Sequence, residues 1–279
     1  MPPIGLPPSR PQTWTSGLWS LLETSARELA RLLVPLACAG CAEPDYVLCP
    51  ACAEHFLPQP MRAEQLAPRL GGSEVKLWAQ AKYREPLNYV VAAWKEGKRE
   101  DLSKPLAQIM AGGGRHLGAQ LLAMLPPITL PLAEVRPADR LPTILVVPLP
   151  STERSRRERG FMPAEELAYG VVAGLREAVG PHARVCFGPG LTVTSKKADQ
   201  VGLNARRRAQ NLHGSISVGS LLRVQSSAAN VIVLVDDLVT TGATMREVLR
   251  VLPRQPGTLV AGFTLCVTLK RLKSDPNSN

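Results

Sequence analysis

Apolar residues recur along this chain in two rhythms. Thr143–Val147 (TILVV) and Val231–Val235 (VIVLV) are short continuous runs rich in β-branched residues, the composition of strands buried on both faces. Leu259–Leu269 predicts a last strand, and Val185–Val193 includes another. Between these runs the spacing lengthens to that of a helix. Leu87–Lys95 and Leu102–Leu125 read as helices, the second weakened by Gly112–Gly114. Pro163 in a first turn, with Glu165 and Glu166 behind it, opens a helix to about Val179. Met245, Val248, Leu249 and Leu252 share one face of a helix that follows Val235. Strands alternating with helices predict an α/β fold: a mostly parallel sheet flanked by helices, with ligands at the strands' carboxyl ends.

The remaining segments divide the chain. Residues 1–15 hold five prolines in the first eleven positions and predict a disordered leader. In Ser16–Leu33, Leu18, Trp19, Leu22, Ala26, Leu29 and Leu33 fall at helical spacing, a short amphipathic helix. Pro126–Pro142 reads as a loop and Ser220–Asn230 as a polar linker. The expected units are therefore the leader (1–15), the amphipathic helix with a cysteine knuckle (16–60) and an α/β domain (70–273).

Composition narrows the chemistry. Among 279 residues, 33 are basic and 23 acidic, for a net charge of +10, which suits a polyanionic ligand such as a phosphorylated substrate or nucleic acid. No apolar run reaches membrane-spanning length, and Glu23, Arg27, Glu28 and Arg31 interrupt the one near the N-terminus, so a cytoplasmic protein is expected. Six cysteines in a reducing compartment point to metal rather than disulfides. Cys38, Cys41, Cys49 and Cys52 form C-x2-C-x7-C-x2-C, two knuckles that together can complete a tetrahedron around Zn2+. With cysteine at all four positions the site is expected to be closed and structural.

The strongest chemical signal is Val231–Met245, VIVLVDDLVTTGATM. A strand, a polar loop and a helix start make a seat for an anion, because free backbone N–H groups and the helix dipole both favour negative charge. Gly242 lets the backbone approach closely, and the threonine hydroxyls add donors. Asp236 and Asp237 would repel a phosphate; they suit a sugar diol or Mg2+ beside it. The stretch resembles the PRPP-binding signature of type I phosphoribosyltransferases. A Walker B strand is the rival, but the chain holds no G-x-x-x-x-G-K-[ST] to accompany it.

In order, the motifs resemble the ComF family of phosphoribosyltransferase-like proteins from about Leu33 to Lys270. The four-cysteine knuckle comes first, then Lys95 after a short helix, then the Val147–Pro150 strand end. Arg159, Gly160, Phe161, Met162, Pro163 and Ala164 match an R-G-F-N-Q-A box, with Met162 and Pro163 where the family has Asn and Gln. Gln200, Leu203, Arg208 and Asn211 match Q-x-x-L…R-x-x-N, and the PRPP motif closes the set.

The resemblance implies a type I phosphoribosyltransferase fold and, for some members, a link to DNA uptake during competence. It also implies a reading of the site. Thr240, Thr241, Gly242, Ala243 and Thr244 would anchor the 5′-phosphate. Asp236 and Asp237 would hold the ribose hydroxyls, with Mg2+ bridging these and the pyrophosphate. The Pro150–Ser151 turn, in which a cis peptide is one option, would offer backbone N–H groups. Lys95, Arg159 and Arg208 would neutralise pyrophosphate, and the Lys196–Arg208 loop could close as a lid. The preferred expectation is Mg2+-dependent phosphoribosyl transfer from PRPP to an acceptor. The alternative is a non-catalytic adaptor binding single-stranded DNA or a helicase-like partner, although an aromatic content of 4% argues against a base-stacking platform. A nucleotide-linked transcription regulator is the weakest option, since no helix-turn-helix signal accompanies it.

Overall fold

The computed structural model describes residues 36–63, 70, 75–125, 141–194 and 214–268. The leader, the amphipathic helix, the Lys196–Arg208 loop and most of the 126–142 loop lie outside these.

Six strands form one sheet: β1 (Met61–Arg62), β2 (Val75–Lys82), β3 (Thr143–Pro148), β4 (Arg184–Phe187), β7 (Val231–Val239) and β8 (Leu259–Val267), in the order β1-β2-β8-β7-β3-β4. Only the two-residue edge β1 is antiparallel to its neighbour. A separate two-stranded antiparallel sheet pairs β5 (Leu191–Val193) with β6 (Ile216–Val218). The mostly parallel sheet is as expected. The strand β2 is additional to the expected ones, and Val75, Leu77 and Ala79 alternate along it onto one face.

Helices cover both faces, as a parallel sheet requires. On one face lie α2 (Leu87–Lys95), α3 (Ser103–Met124) and α5 (Pro163–Val179), packed on Ile144, Val146, Val231, Val233 and Val235. On the other, α6 (Ser220–Ala228) and α7 (Ala243–Val251) pack on Leu145, Val147, Ile232 and Leu234. Two short helices, α1 (Pro50–Ala53) and α4 (Glu153–Arg159), lie at the knuckle and after β3.

Two expectations need correction. Gly112–Gly114 does not interrupt α3: Gly114 meets α5, while Gly113 meets Gln80 and Phe263 of the sheet. A Cβ on Gly170 or Gly174 would strike the carbonyl of Ala107 or Ala111, and one on Gly114 would lie 3.0 Å from the carbonyl of Val171. Small residues on both helices let the backbones meet, and that contact offsets the helix propensity that glycine sacrifices. Ser220–Asn230 is not a linker: α6 occupies Ser220–Ala228 and buries Leu222 and Ser226. Two buried positions in a polar stretch leave little periodic signal, and the burial comes from the packing of Leu222 beside Gly188 and Gly190.

The chain leaves β3 toward β4 on one side and leaves β7 toward β8 on the other. Adjacent parallel strands whose connections diverge open a crevice at their carboxyl ends. Pro148 ends β3 and Val239 ends β7, so the Pro150–Ser151 turn and the Thr240–Thr244 loop both emerge at this crevice.

Candidate functional site

Strand β7 runs further than the apolar pattern suggests. Pairing with β8 continues through Asp236 opposite Thr264, Leu238 opposite Cys266 and Val239 opposite Val267, so both acids lie inside the strand rather than after it. Strict alternation ends here. Val235 and Leu238 both pack toward the α2, α3 and α5 layer, while Val239 packs toward the other. The acids thus occupy the point where the strand's regular facing breaks at the rim.

Their environments differ. Asp237 is 6% exposed, and its carboxylate receives Lys95 Nζ at 3.0 and 2.9 Å on its two oxygens. Asp236 is half-buried, and its Oδ1 accepts the backbone N–H of Asp237 at 2.9 Å. Burial raises the Asp236 carboxyl well above its ordinary 3.8, the Asp237 charge adds to the rise, and the Lys95 ammonium opposes it. An Asp raised in the folded state holds its proton there at pH values where the unfolded chain has released it. Stability therefore falls as pH climbs from about 3.8 through the folded value. Asp236→Asn should raise the melting temperature at pH 7 by a few degrees, with the gain vanishing below about pH 3.8; equal melting of the two proteins at pH 7 would refute this.

At the loop, Gly242 takes φ +68° and begins α7 without any side-chain cap. A side chain at 242 would be strained in this left-handed conformation and would run into Leu70. Ala243 N–H reaches Thr241 Oγ1 only at 3.4 Å. Thr240 is exposed, and Thr241, Ala243 and Thr244 are half-buried. This is an open helix start with hydroxyls around it, able to receive an anion. Arg246, which is not among the expected site residues, donates to the Thr241 carbonyl at 3.4 Å and adds a cation beside the loop.

The other expected residues fall as follows. Arg159 Nε donates to the Lys95 carbonyl at 2.8 Å, so the end of α4, the end of α2 and Asp237 form one chain of contacts. Gly160 closes α4 at φ +83°, and the buried Phe161 places its ring 5.7 Å from Trp94. The R-G-F box therefore pins α2 against the strand ends. Pro150 and Ser151 are half-buried just before Thr152, whose Oγ1 accepts the Ser155 N–H at 3.2 Å and caps α4. Among the described residues the cis peptide is Glu85–Pro86, and the Pro150–Ser151 bond is not one. Arg208 lies outside the described residues. The Arg154–Arg159 cluster is largely self-satisfied: Arg156 and Arg157 pair with Glu153, and Arg154 with Glu158.

Cys38, Cys41, Cys49 and Cys52 bring their sulfurs within 4.8 Å of one another and could hold a zinc ion. Cys41 and Cys49 Sγ lie 3.6 Å apart, close to the ~3.8 Å edge of a tetrahedron with zinc–sulfur bonds of about 2.3 Å. The Cys49 N–H points at Cys38 Sγ, 3.3 Å away, and the Cys52 N–H at Cys49 Sγ, 3.4 Å away. Burial opposes ionisation of Cys38, but the backbone N–H groups of Cys49, Cys41 and Gly40 outweigh it and lower the thiol to about 6. A Cβ on Gly40 would lie 2.7 Å from Cys52 Sγ, so the close approach of the two knuckles needs glycine there. Arg99 Nη1 bonds the Ala37 carbonyl at 3.1 Å, which ties the knuckle to the loop after α2.

No family model matches the chain. It is similar to the DNA utilization protein YhgH of Escherichia coli O157:H7 and of Escherichia coli K12, 27% identical over 235 residues that span 83% of this chain and 89% of each relative. The protein of the same name from Shigella flexneri is 26% identical over the same length. At this identity the likeness gives a ComF-type family weak support. Among the described residues, no helix is long and apolar enough to cross a membrane.

Proposed function

We propose that this protein serves DNA utilisation as a binding protein. Its crevice receives a sugar phosphate of the PRPP kind, and its knuckle and basic segments meet single-stranded DNA or a helicase-like partner in the cytoplasm. The observation that carries this reading is the likeness over 235 residues to proteins named for DNA utilisation. A net charge of +10 agrees with a polyanionic partner. The division into a knuckle unit (16–60) and an α/β unit (70–273) belongs to this proposal.

The crevice supports the ligand half of the reading. The uncapped start of α7 suits the 5′-phosphate, held by Thr240, Thr241, Gly242, Ala243 and Thr244. Lys95 neutralises Asp237, which leaves Asp236 as the acid facing a sugar diol.

A second reading, Mg2+-dependent transfer of the phosphoribosyl group to an acceptor, draws on the same crevice. It is favoured by the two carboxyl groups that β7 brings to the rim side by side, with the Asp237 N–H on Asp236 Oδ1 at 2.9 Å. Asp236 and Asp237 would hold the ribose hydroxyls, and Mg2+ would neutralise pyrophosphate charge. Lys95, Arg159, Arg208 and the Pro150–Ser151 turn would orient that group.

The test measures binding and turnover on the same protein. Titration with a single-stranded oligonucleotide should show affinity that falls steeply with salt and does not depend on PRPP. Titration with PRPP should show binding that Asp236→Asn weakens. Pyrophosphate release at enzymatic rates in the presence of Mg2+ would replace the first reading with the second. Absence of both DNA and PRPP binding would sink both.

A further inference from the structure

A cavity lies away from the threonine loop, further along the sheet's carboxyl rim. Its volume is about 320 Å3, and it is lined by His55, Leu57, Met61, Lys82, Arg84, Glu85 and Leu87. Lys82 ends β2, and the Tyr83 N–H bonds the Val267 carbonyl at the end of β8. The floor is thus an extension of the same rim that holds Asp236, two strands further along the sheet.

The wall is the chain that leaves the cysteine knuckle. His55 follows Cys52 by three residues, and Leu57 is bonded to β2 through its N–H to the Gln80 carbonyl at 2.9 Å. Gln80 Nε2 donates to the Leu57 carbonyl in return. The knuckle rests on the turn beneath the cleft: a Cβ on Gly40 would lie 3.3 Å from Pro86 Cβ.

The lining divides by chemistry. Leu57, Met61 and Leu87 supply an apolar side, with Leu57 exposed at 38%. Lys82 and Arg84 supply two cations at the mouth, both exposed. The one acid, Glu85, is engaged by the Tyr89 hydroxyl at 2.9 Å. Among the described residues neither Lys82 nor Arg84 forms an ion pair, and an apolar surface beside two cations and a single carboxylate favours a ligand with a flat, weakly polar body and an anionic head. The cleft's size admits one such unit, and a nucleoside phosphate combines these features.

We propose that this cleft binds one nucleoside phosphate, with the phosphate on Lys82 and Arg84 and the base against Leu57, Met61 and Leu87. Such a unit can be a free nucleotide or one residue of a DNA strand. The second source rests on the DNA-binding reading above; the first does not.

The full-length, zinc-loaded protein is titrated with dAMP and, separately, with an oligo-dT ten-mer, each over a series of salt concentrations. Lys82→Gln/Arg84→Gln, both on exposed side chains, should weaken the ligand that binds by about tenfold or more. For the ten-mer it should also flatten the log–log salt slope by roughly 1.4, the loss of two phosphate contacts to a single strand. Leu57→Asp should weaken either ligand, and Lys104→Gln, on exposed α3 surface, should weaken neither. Far-ultraviolet circular dichroism and thermal melting confirm that each variant is folded.

Loss of dAMP binding alone assigns the cleft to free nucleotide, and loss of ten-mer binding assigns it to the strand. If the wild type binds either probe and the double variant binds both probes as the wild type does, the cleft proposal is overturned, while the DNA-binding reading stands wherever the ten-mer is bound. If the wild type binds neither probe, both are overturned.

Discussion

Lys95→Met lowers the stability of this protein by about 2 kcal/mol, and adding Asp237→Asn recovers most of the loss. The reasoning starts from unequal burial. The Asp237 side chain is 9% exposed and Lys95 24%, and the ammonium holds both carboxylate oxygens. Removing the cation leaves a nearly dry carboxylate without a counter-charge, which costs about 3–5 kcal/mol when both partners are fully buried. Water still reaches Lys95, so the smaller figure applies. Asparagine removes the charge, so the double variant no longer buries an unpaired ion. Urea denaturation of the four proteins in a double-mutant cycle measures the coupling. A single variant as stable as wild type, or a double variant no better than Lys95→Met, would show that the pair does not hold α2 to the rim. The same cycle bears on function, because Arg159 donates to the Lys95 carbonyl and loses its fixed partner if the end of α2 loosens.

Cys52→Ser abolishes zinc retention and lowers the melting temperature by on the order of 5–10 °C. Cys52 is 3% exposed, lies next to Gly40, and its thiol is pushed up chiefly by burial, so a serine there leaves a buried hydroxyl where the fourth sulfur belongs. Structural zinc contributes about 10–16 kcal/mol of binding free energy to small metal domains, and a knuckle of this size has little core of its own to replace it. The loss does not stay local. Ala39, Val47 and Leu48 pack against the main core beside Phe56, so an unfolded knuckle uncovers apolar surface on α2 and β2. Metal analysis should find one zinc per wild-type chain and none in the variant. A variant that keeps full zinc would refute the four-cysteine assignment. One that loses zinc but melts with the wild type would refute the coupling to the core.

Local chemistry was legible in the residues, and convergence was not. The knuckle could be read because its chelate geometry is set within fifteen residues, Cys38 to Cys52, by two C-x2-C turns. Strands β3 and β7 and helix α7 followed from apolar spacing, since burying a face requires a repeat that matches the backbone's own, and α5 followed from Pro163, Glu165 and Glu166 in its first turn. Helix α6 escaped because two buried residues cannot establish a period. The glycines of α3 misled because propensity describes an isolated helix, whereas Gly114 faces α5 at backbone distance.

The sequence by itself determined residue types and their local spacing: four cysteines that could hold a metal, two adjacent acids, a Gly/Thr loop before a helix and an excess of positive charge. Only the tertiary structure decided how these meet. Lys95 reaches Asp237 across 142 positions, and Arg159 reaches Lys95 across 64. Only pairing with β8 carries both acids into the strand. The cleft beside the knuckle combines residues from two separate segments, 55–61 and 82–87. Short-range steric and hydrogen-bonding preferences are written residue by residue, but a salt bridge, a strand's last pairs and a cavity depend on which distant surfaces the core brings together.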